Sequence, residues 1–340
     1  MCYAPPRFPA LISILSLTAS LDPIRALLAD DMRAVDGVIR RRLASDVALI
    51  AQVAEYIIGA GGKRLRPVVL LLAAGACNYR GAHHYELAAV VEFIHTATLL
   101  HDDVVDESEL RRGRQTANAV FGNAASVLVG DFLYSRSFQM MVDVGSMRVM
   151  DVLAEATNTI AEGEVLQLLN VHDADVTEQS YLEVIRRKTA KLFEASCRLA
   201  AILAAAPTEI EASLAAYGMH LGTAFQVIDD VLDYSGDHNE TGKNLGDDLN
   251  EGKLTLPLIH VMRHGSPAQA ALIRHAIETG GRDDFASVLG AIRDTGALEF
   301  ARAHAMNEAN AARAEIESLR DSKYKQSLLD LATFAVERSH

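Results

Sequence analysis

Apolar residues recur at intervals of three and four along most of the chain, and this periodicity restricts the fold more than any other feature of the sequence. It is clear in "YELAAVVEFIHTATLLHDDVVD" and in "MRVMDVLAEATNTIAEGEVLQLLNV", and it is typical of helices that bury one face. No segment alternates like a strand, and no βαβ rhythm is present. No Ser- or Pro-rich linker divides the pattern, so the sequence predicts an all-α, single-domain helical bundle. We expect residues 21–340 to form this domain and residues 1–20 to be a disordered N-terminal extension.

Charge and cysteine usage exclude several classes of protein. The 340 residues include 32 basic and 45 acidic side chains, for a net charge of −13, which argues against binding to nucleic acid or to an anionic membrane surface. The cysteines Cys2, Cys77 and Cys197 are scattered and form no C-x-x-C, so neither a disulfide framework nor a zinc site is expected, and a cytoplasmic location fits best. The apolar run from Ala10 to Leu17 is too short to span a bilayer, so no transmembrane segment is expected.

Two aspartate clusters with the pattern D-D-x-x-D follow apolar helical segments, in "LLHDDVVDES" and "FQVIDDVLDY". Side chains at positions i and i+4 of a helix share a face, so the outer two aspartates of each cluster should project together. The apolar residues between them should turn toward the core. The aspartates are Asp102, Asp103 and Asp106 in the first cluster and Asp229, Asp230 and Asp233 in the second, and the apolar residues are Val104, Val105, Val231 and Leu232.

Carboxylates this close together repel one another unless cations lie among them. Oxygen ligands without His or Cys partners favour Mg²⁺ or Mn²⁺ over zinc. A single cluster of this kind fits a solvated helix end or a loose calcium site as well as it fits a magnesium site. Its repetition, each time on an apolar helix and without the spacing of an EF-hand loop, favours a metal site.

Basic residues accompany both clusters. "GGKRLRP" holds Lys63, Arg64 and Arg66, and further cations stand near the aspartates. Each alone would normally be a surface charge, but together with the carboxylates they indicate a site for one or two diphosphate groups bridged by Mg²⁺. "GAGGKR" is not a P-loop, because that motif requires Gly where Ile57 stands and Ser or Thr where Arg64 stands.

"GGKRLRP", "LLHDDVVDESELRRG", "FQVIDDVLDY" and "GKNLGDDLNEGKLTLPL" occur in an order and at a spacing that resemble the trans-polyprenyl diphosphate synthases, over about residues 25 to 338. The resemblance implies an isoprenoid-synthase fold of helices around a deep central cavity, usually in a homodimer. It implies a reaction in which an allylic diphosphate ionises, C4 of isopentenyl diphosphate attacks the cation, and a proton is lost. "EFIHTATLLHDDVVDES" and "LGTAFQVIDD" are similar to the bacterial octaprenyl diphosphate synthases of this family, which elongate farnesyl diphosphate for a quinone side chain. Such a product would be delivered to the membrane.

The resemblance also implies a role for each matching residue. About three Mg²⁺ ions per site, replaceable by Mn²⁺, would be bound by Asp102, Asp106, Asp229 and Asp233. The allylic diphosphate or the cation formed from it would be contacted by Arg111, Lys188, Thr189, Gln226, Lys243 and Lys253. The diphosphate of isopentenyl diphosphate would be held by Lys63, Arg66, His95 and Arg112. The catalytic residues would be Asp103 and Asp230 together with six of the residues just named, which are Asp102, Asp106, Arg111, Lys188, Asp229 and Lys253. His95 has an ordinary alternative, because a lone His on an apolar helix is usually a hydrogen-bonded core residue.

Product length is expected to depend on Ala97 and Thr98, which precede Asp102 by about one helical turn, roughly 5.4 Å. A bulky aromatic residue there closes the cavity in short-product relatives, whereas these small side chains leave it open. The alternative is that they only permit close helix packing. A deeper floor is expected at Met141 and Leu153.

Other functions remain open on the sequence alone. A terpene cyclase would normally lack the complete second cluster, and a phosphohydrolase of the His-Asp type would need more His ligands than "HD" at residues 101–102 supplies. Heptaprenyl, solanesyl or decaprenyl diphosphate synthase, and a non-catalytic subunit of a heteromeric synthase, are the nearer alternatives. The motifs do not determine the number of isoprene units.

Overall fold

The computed structural model of the chain describes residues 20–59, 61–111, 113–235, 245–281 and 283–338. Within these ranges the structure contains seventeen α-helices, one π-helical turn and two strands of two residues each, so the prediction of an all-α fold is confirmed. The expected extension at residues 1–20 lies almost wholly outside the described residues.

The N-terminal half is built from eight helices and a small hairpin. They are α1 (Asp22–Leu27), α2 (Ala29–Arg42), α3 (Ala48–Gly59), α4 (Leu65–Ala76), α5 (His83–Val105), β1 (Leu110–Arg111), β2 (Arg114–Gln115), α6 (Ala117–Phe121), α7 (Asn123–Val144) and α8 (Met147–Asn170). The C-terminal half comprises α9 (Glu178–Ile185), a π-helical turn (Arg186–Ala190), α10 (Lys191–Leu203), α11 (Thr208–Ser235), α12 (Asp247–Asn250), α13 (Leu256–His264), α14 (Pro267–Thr279), α15 (Phe285–Thr295), α16 (Ala297–Glu315) and α17 (Lys323–Glu337).

Helices α5 and α11, which carry the two aspartate clusters, lie at the centre of the packing. α5 packs on α7 and α4, while α11 packs on α10 and α16. Around α5 the larger core cluster buries side chains such as Phe93 and Leu133, and a second cluster around α11 buries Val227 and Ile259. Because both helices are covered on several sides, the positions of their aspartates are fixed by the core.

Local sequence determines where the long helices begin and end. α7 ends at the "DVGS" break, where Gly145 adopts a left-handed conformation with φ of 70°. The next residue, Ser146, accepts a hydrogen bond from the Val149 amide and caps α8. The chain continues after this break as α8, which packs on α10 and on the π-helical turn.

Two details differ from the sequence prediction. No strand was expected, yet Leu110–Arg111 pairs antiparallel with Arg114–Gln115 to form a short hairpin beside the first cluster. The prediction that Val105 faces the core was wrong: its side chain is 64% exposed, because α5 ends at this residue, beyond the packed part of the helix. Val231 and Leu232 are buried as predicted, since α11 continues to Ser235. Among the described residues, no helix is long and apolar enough to cross a membrane.

Candidate active site

A cavity of about 1030 Å³ lies between α4, α5, α8, α9, α11 and the start of α13. Most of the residues that the sequence singled out line it. They are Lys63, Arg66, His95, Thr98, Asp102, Asp106, Arg111, Lys188, Thr189, Gln226, Asp229, Asp230, Asp233 and Lys253. The predicted residues Arg112 and Lys243 lie outside the described residues. One cavity thus brings together carboxylates and cations from segments far apart in the sequence.

The cavity face of α5 is a stripe of polar residues at helical spacing. It comprises Glu92, His95, Thr98, Asp102 and Asp106, so the outer aspartates of the first cluster share a face as predicted. Each of these two aspartates forms an ion pair with a lysine. Asp102 Oδ2 lies 3.6 Å from Lys188 Nζ, and Asp106 Oδ2 lies 3.1 Å from Lys253 Nζ. Burial raises the pKa of Asp102, and the neighbouring Lys188 opposes that shift.

Asp103, the middle aspartate of the first cluster, points away from this stripe. Its side chain is 1% exposed, and Oδ1 accepts a hydrogen bond of 2.7 Å from Nε of Arg111 and lies 2.7 Å from a terminal nitrogen of the same guanidinium. Nδ2 of Asn118 donates to the Asp103 carbonyl at 3.1 Å, which ties α6 to the same point. Asp103 therefore holds Arg111, and Arg111 in turn reaches the cavity.

The second cluster is organised by a chain of hydrogen bonds that crosses three elements. The Thr189 hydroxyl donates to Oε1 of Gln226 at 3.0 Å, and Nε2 of Gln226 donates to Oδ1 of Asp230 at 2.8 Å. The Tyr181 hydroxyl donates to Oδ2 of Asp230 at 2.5 Å. Burial raises the pKa of Asp230 well above its usual range, and the bonds from Tyr181 and Gln226 oppose that shift. Asp233 Oδ2 accepts from the Asp248 amide at 3.2 Å.

Arg338 is a cavity residue that was not predicted from the sequence. Its buried guanidinium lies 2.7 Å from Asp229 Oδ1, donates to the Phe225 carbonyl at 2.7 Å, and stacks 3.7 Å from the centroid of the Phe225 ring. The residue follows α17 and belongs to no motif. Its relation to Asp229 arises only from the way α17 packs beside α11.

Lys188 and Thr189 reach the cavity from the π-helical turn at residues 186–190. This turn packs closely on α8 at Gly163, where an added Cβ would lie 2.7 Å from the Lys188 amide nitrogen. The next residue, Glu164, also lines the cavity, and its Oε2 lies 2.5 Å from Lys188 Nζ. Burial raises the pKa of Glu164 to about 7 in spite of the nearby ammonium group. In the same way, Oε2 of Glu251 lies 2.5 Å from Nζ of Lys253.

The glycine-rich turn before α4 supplies further cations. Arg64 has a left-handed backbone with φ of 47° and pairs with Asp36. The Arg66 guanidinium lies 4.7 Å from the Phe193 ring centroid, and Lys63 Nζ lies 5.9 Å from that of Phe334. Each of these two cations thus lies over an aromatic ring at the cavity wall, which His95 also lines.

The carboxylates fit divalent ions that are shared with a substrate. In the part of the chain that the structure describes, no group of three or more His, Cys, Asp or Glu side chains converges on one point. Asp102 with Asp106, and Asp229 with Asp233, instead present pairs of oxygen ligands to the cavity. Mg²⁺ is usually held by one or two carboxylates together with substrate phosphates and water, and pairs of aspartates suit that mode.

The residues predicted to set product length have different surroundings. Thr98 lines the cavity, with its hydroxyl bonded to the His95 carbonyl at 2.8 Å. Ala97, Met141 and Leu153 are fully buried in the larger core cluster and do not line this cavity. Their role as a floor stays a prediction.

Comparison with known proteins gives one consistent result. The family model described as polyprenyl synthetase matches residues 47–292. The octaprenyl diphosphate synthase of Escherichia coli (strain K12) is 55% identical over 320 residues, covering 94% of this chain and 99% of that protein. The all-trans-nonaprenyl-diphosphate synthase (geranyl-diphosphate specific) of Rhodobacter capsulatus is 46% identical and covers 93% and 97% of the two chains. A crystal structure of a polyprenyl synthase from Caulobacter crescentus CB15, complexed with calcium and isoprenyl diphosphate, superposes with a TM-score of 0.92 at 44% identity, covering 95% of this chain and 99% of that one.

Proposed function

The chain belongs to the polyprenyl synthetase family and is a long-chain trans-polyprenyl diphosphate synthase, and from this premise we propose that its main product is octaprenyl diphosphate, built from isopentenyl diphosphate and an allylic starter such as farnesyl diphosphate. One observation carries the site assignment. Two pairs of aspartates, each at i and i+4 on its own helix, face one cavity that also presents Lys63, Arg66, Arg111, Lys188 and Lys253.

The proposed first step is cleavage of the C–O bond of the allylic diphosphate, with the electron pair leaving on the diphosphate. Arg111, Lys188 and Lys253 donate to the oxygens on which negative charge develops, and these side chains are already held at the cavity by carboxylates. Mg²⁺, which Asp102, Asp106, Asp229 and Asp233 would hold, supplies further charge neutralisation when it is bound. Binding of a divalent ion is supported by the calcium in the Caulobacter relative.

The allylic cation left by this cleavage must be shielded from water until the second substrate attacks. Thr189 and Gln226 form the proposed polar surface beside it, since the amide of Gln226 is oriented by its bond to Asp230. Lys63, Arg66 and His95 hold the isopentenyl diphosphate so that its C4 attacks the cation. A proton then leaves to the released diphosphate, and the elongated chain carries the remaining diphosphate into the next cycle.

We also propose a homodimer and a cytoplasmic enzyme that delivers its product to the membrane. The dimer is supported by exposed apolar side chains along α7, where Val127, Leu128 and Val142 are 37%, 67% and 59% exposed. The location rests on the scattered cysteines alone.

Incubation of the purified chain with labelled isopentenyl diphosphate, farnesyl diphosphate and Mg²⁺ tests the proposal. After the product is dephosphorylated, mass spectrometry should show octaprenol as the main species, and EDTA should abolish it. A longer or shorter alcohol would contradict the octaprenyl assignment alone. No elongation by the chain without a partner would favour a non-catalytic subunit.

A further inference from the structure

Three of the aspartates assigned to metal are already paired with a cation of the protein. Asp102 lies 3.6 Å from Lys188, Asp106 lies 3.1 Å from Lys253, and Asp229 lies 2.7 Å from Arg338. An ammonium group and a divalent ion seek the same carboxylate lone pairs, so each of these cations competes with metal for its aspartate.

Both lysines have a second carboxylate that lies closer than the aspartate and belongs to neither cluster. Lys188 Nζ is 2.5 Å from Glu164 Oε2, against 3.6 Å from Asp102. Lys253 Nζ is 2.5 Å from Glu251 Oε2, against 3.1 Å from Asp106. The glutamates are therefore the stronger partners, because the attraction between charges rises as their distance falls.

The backbone fixes both glutamates. Glu164 follows Gly163, whose contact with the Lys188 backbone leaves no room for a side chain. Glu251 and Lys253 flank Gly252, whose φ of 70° makes the turn, and the Lys253 amide donates to the Asp248 carbonyl at 2.8 Å. A lysine placed between a glutamate and a cluster aspartate thus occurs twice in the cavity region, formed by different segments of the chain.

We propose that Glu164 and Glu251 are positioning residues that hold the Lys188 and Lys253 ammonium groups back from Asp102 and Asp106, and so leave these carboxylates available to the metal. The inference rests on the proposed function, because it takes Asp102 and Asp106 as metal ligands. Without its glutamate, each half-buried lysine would keep only the aspartate as an ion-pair partner and would compete more strongly for it. With the glutamate, the lysine can release the aspartate to the metal and keep a charged partner.

Binding of Mn²⁺ to the full chain without substrate, followed by electron paramagnetic resonance at about pH 8, where Glu164 is largely ionised, tests this directly. Glu164→Gln should raise the dissociation constant of Mn²⁺ roughly fivefold, which is a typical size for the interaction energy between two side chains in contact. Glu162→Gln is the matched control, since Glu162 lies on the same helix, pairs with Arg187 at 2.7 Å and loses the same charge. It should leave Mn²⁺ binding within about twofold of the wild type. Glu164→Asp should restore part of the affinity.

A second comparison separates positioning from a simple loss of negative charge. If Glu164 acts through Lys188, the change Glu164→Gln should matter little once Lys188→Gln is present, and the same should hold for Glu251→Gln in a Lys253→Gln background. Equal effects with and without the lysine would overturn the inference, as would Glu164→Gln and Glu251→Gln variants that bind Mn²⁺ like Glu162→Gln. Circular dichroism establishes that each variant folds, and the two glutamates provide independent tests.

Asp102→Asn serves as the reference for the metal site itself. If it weakens Mn²⁺ binding while the glutamate variants do not, only the positioning role is wrong. If it leaves Mn²⁺ binding unchanged, the assignment of metal to the first cluster is wrong, and the positioning role fails with it.

Discussion

The Tyr181 hydroxyl donates a 2.5 Å hydrogen bond to Oδ2 of Asp230, and both groups are buried. The middle aspartate of the second cluster is thereby tied to α9 and, through Gln226 and Thr189, to the π-helical turn. The middle aspartate of the first cluster is likewise engaged, with Arg111. In both clusters the outer aspartates face the cavity and the middle one anchors a neighbouring side chain, and Asp230, unlike Asp103, also lines the cavity.

Tyr181→Phe removes only the hydroxyl and leaves Oδ2 of Asp230 without this donor. We expect the free energy of unfolding to fall by about 1–2 kcal/mol, the cost of an unsatisfied buried polar group. Urea denaturation measures it. Tyr134→Phe, which changes a half-buried ring packed on Phe138, is the control and should stay within about 0.5 kcal/mol of the wild type. Equal stability of the two variants would show that the bond to Asp230 contributes nothing.

Asp103→Asn removes the buried charge that holds Arg111. Because an unpaired charge remains near the core, we expect a loss of about 3 kcal/mol in unfolding free energy. We also expect a higher KM for the allylic substrate, since Arg111 loses its orientation. The double variant Asp103→Asn/Arg111→Gln should lose less than the sum of the single changes. Additive losses in both stability and KM would contradict a shared role.

The contact between His220 and Glu308, 2.5 Å long, should make stability depend on pH. The hydrogen bond with Glu308 raises the pKa of His220, and the bonds from His220 and Arg186 outweigh burial and lower the pKa of Glu308. The His220 contribution is therefore complete below its unfolded pKa of about 6.5 and is lost as pH rises through the raised folded value. The Glu308 contribution is present above about 4.5 and is lost as pH falls.

His220→Gln should therefore cost about 1 kcal/mol near pH 6 and clearly less near pH 9. Denaturant titrations of both proteins at the two pH values measure the difference. A cost that is the same at both would mean that the charge on His220 adds nothing.

Thr98→Tyr places a ring in the cavity one helical turn from Asp102 and should shorten the product to about three or four isoprene units. Ala97→Tyr should shorten the product as well, as the sequence predicted, but at a cost in stability, because Ala97 is fully buried. Thin-layer chromatography of the dephosphorylated products measures both. Thr98→Ser keeps the cavity open and should leave the product unchanged. An unaltered ladder in both tyrosine variants would exclude this part of α5 from length control.

Much of the fold and of the site was predictable because the information is local. The three- and four-residue periodicity predicted the helices, and the i and i+4 spacing placed Asp102 beside Asp106 and Asp229 beside Asp233. The cavity that the two pairs share was implied only by the family resemblance. The breaks followed from turn residues such as those in "DVGS", where α7 ends.

The remaining features depend on tertiary contacts that leave no local trace. Arg338 meets Asp229 from 109 positions further along the chain, and Tyr181 meets Asp230 across 49 positions. Glu164 and Glu251 look like ordinary surface acids until Lys188 and Lys253 are placed beside them. Val105 was misplaced because periodicity alone does not show where a helix leaves the core.

The π-helical turn at residues 186–190 has a consequence for how this protein tolerates insertions and deletions. Such a turn accommodates one residue more than an α-helical turn, and α9 and α10 continue on either side of it without a break. Deleting one residue between Arg186 and Ala190 would restore a uniform helix, but it would rotate one flank against the other by about 100°. Lys188 and Thr189 would then no longer both face the aspartates. The extra residue is therefore needed to bring both side chains to the cavity, and we expect single-residue length changes to be tolerated in surface loops such as residues 43–47 but not here.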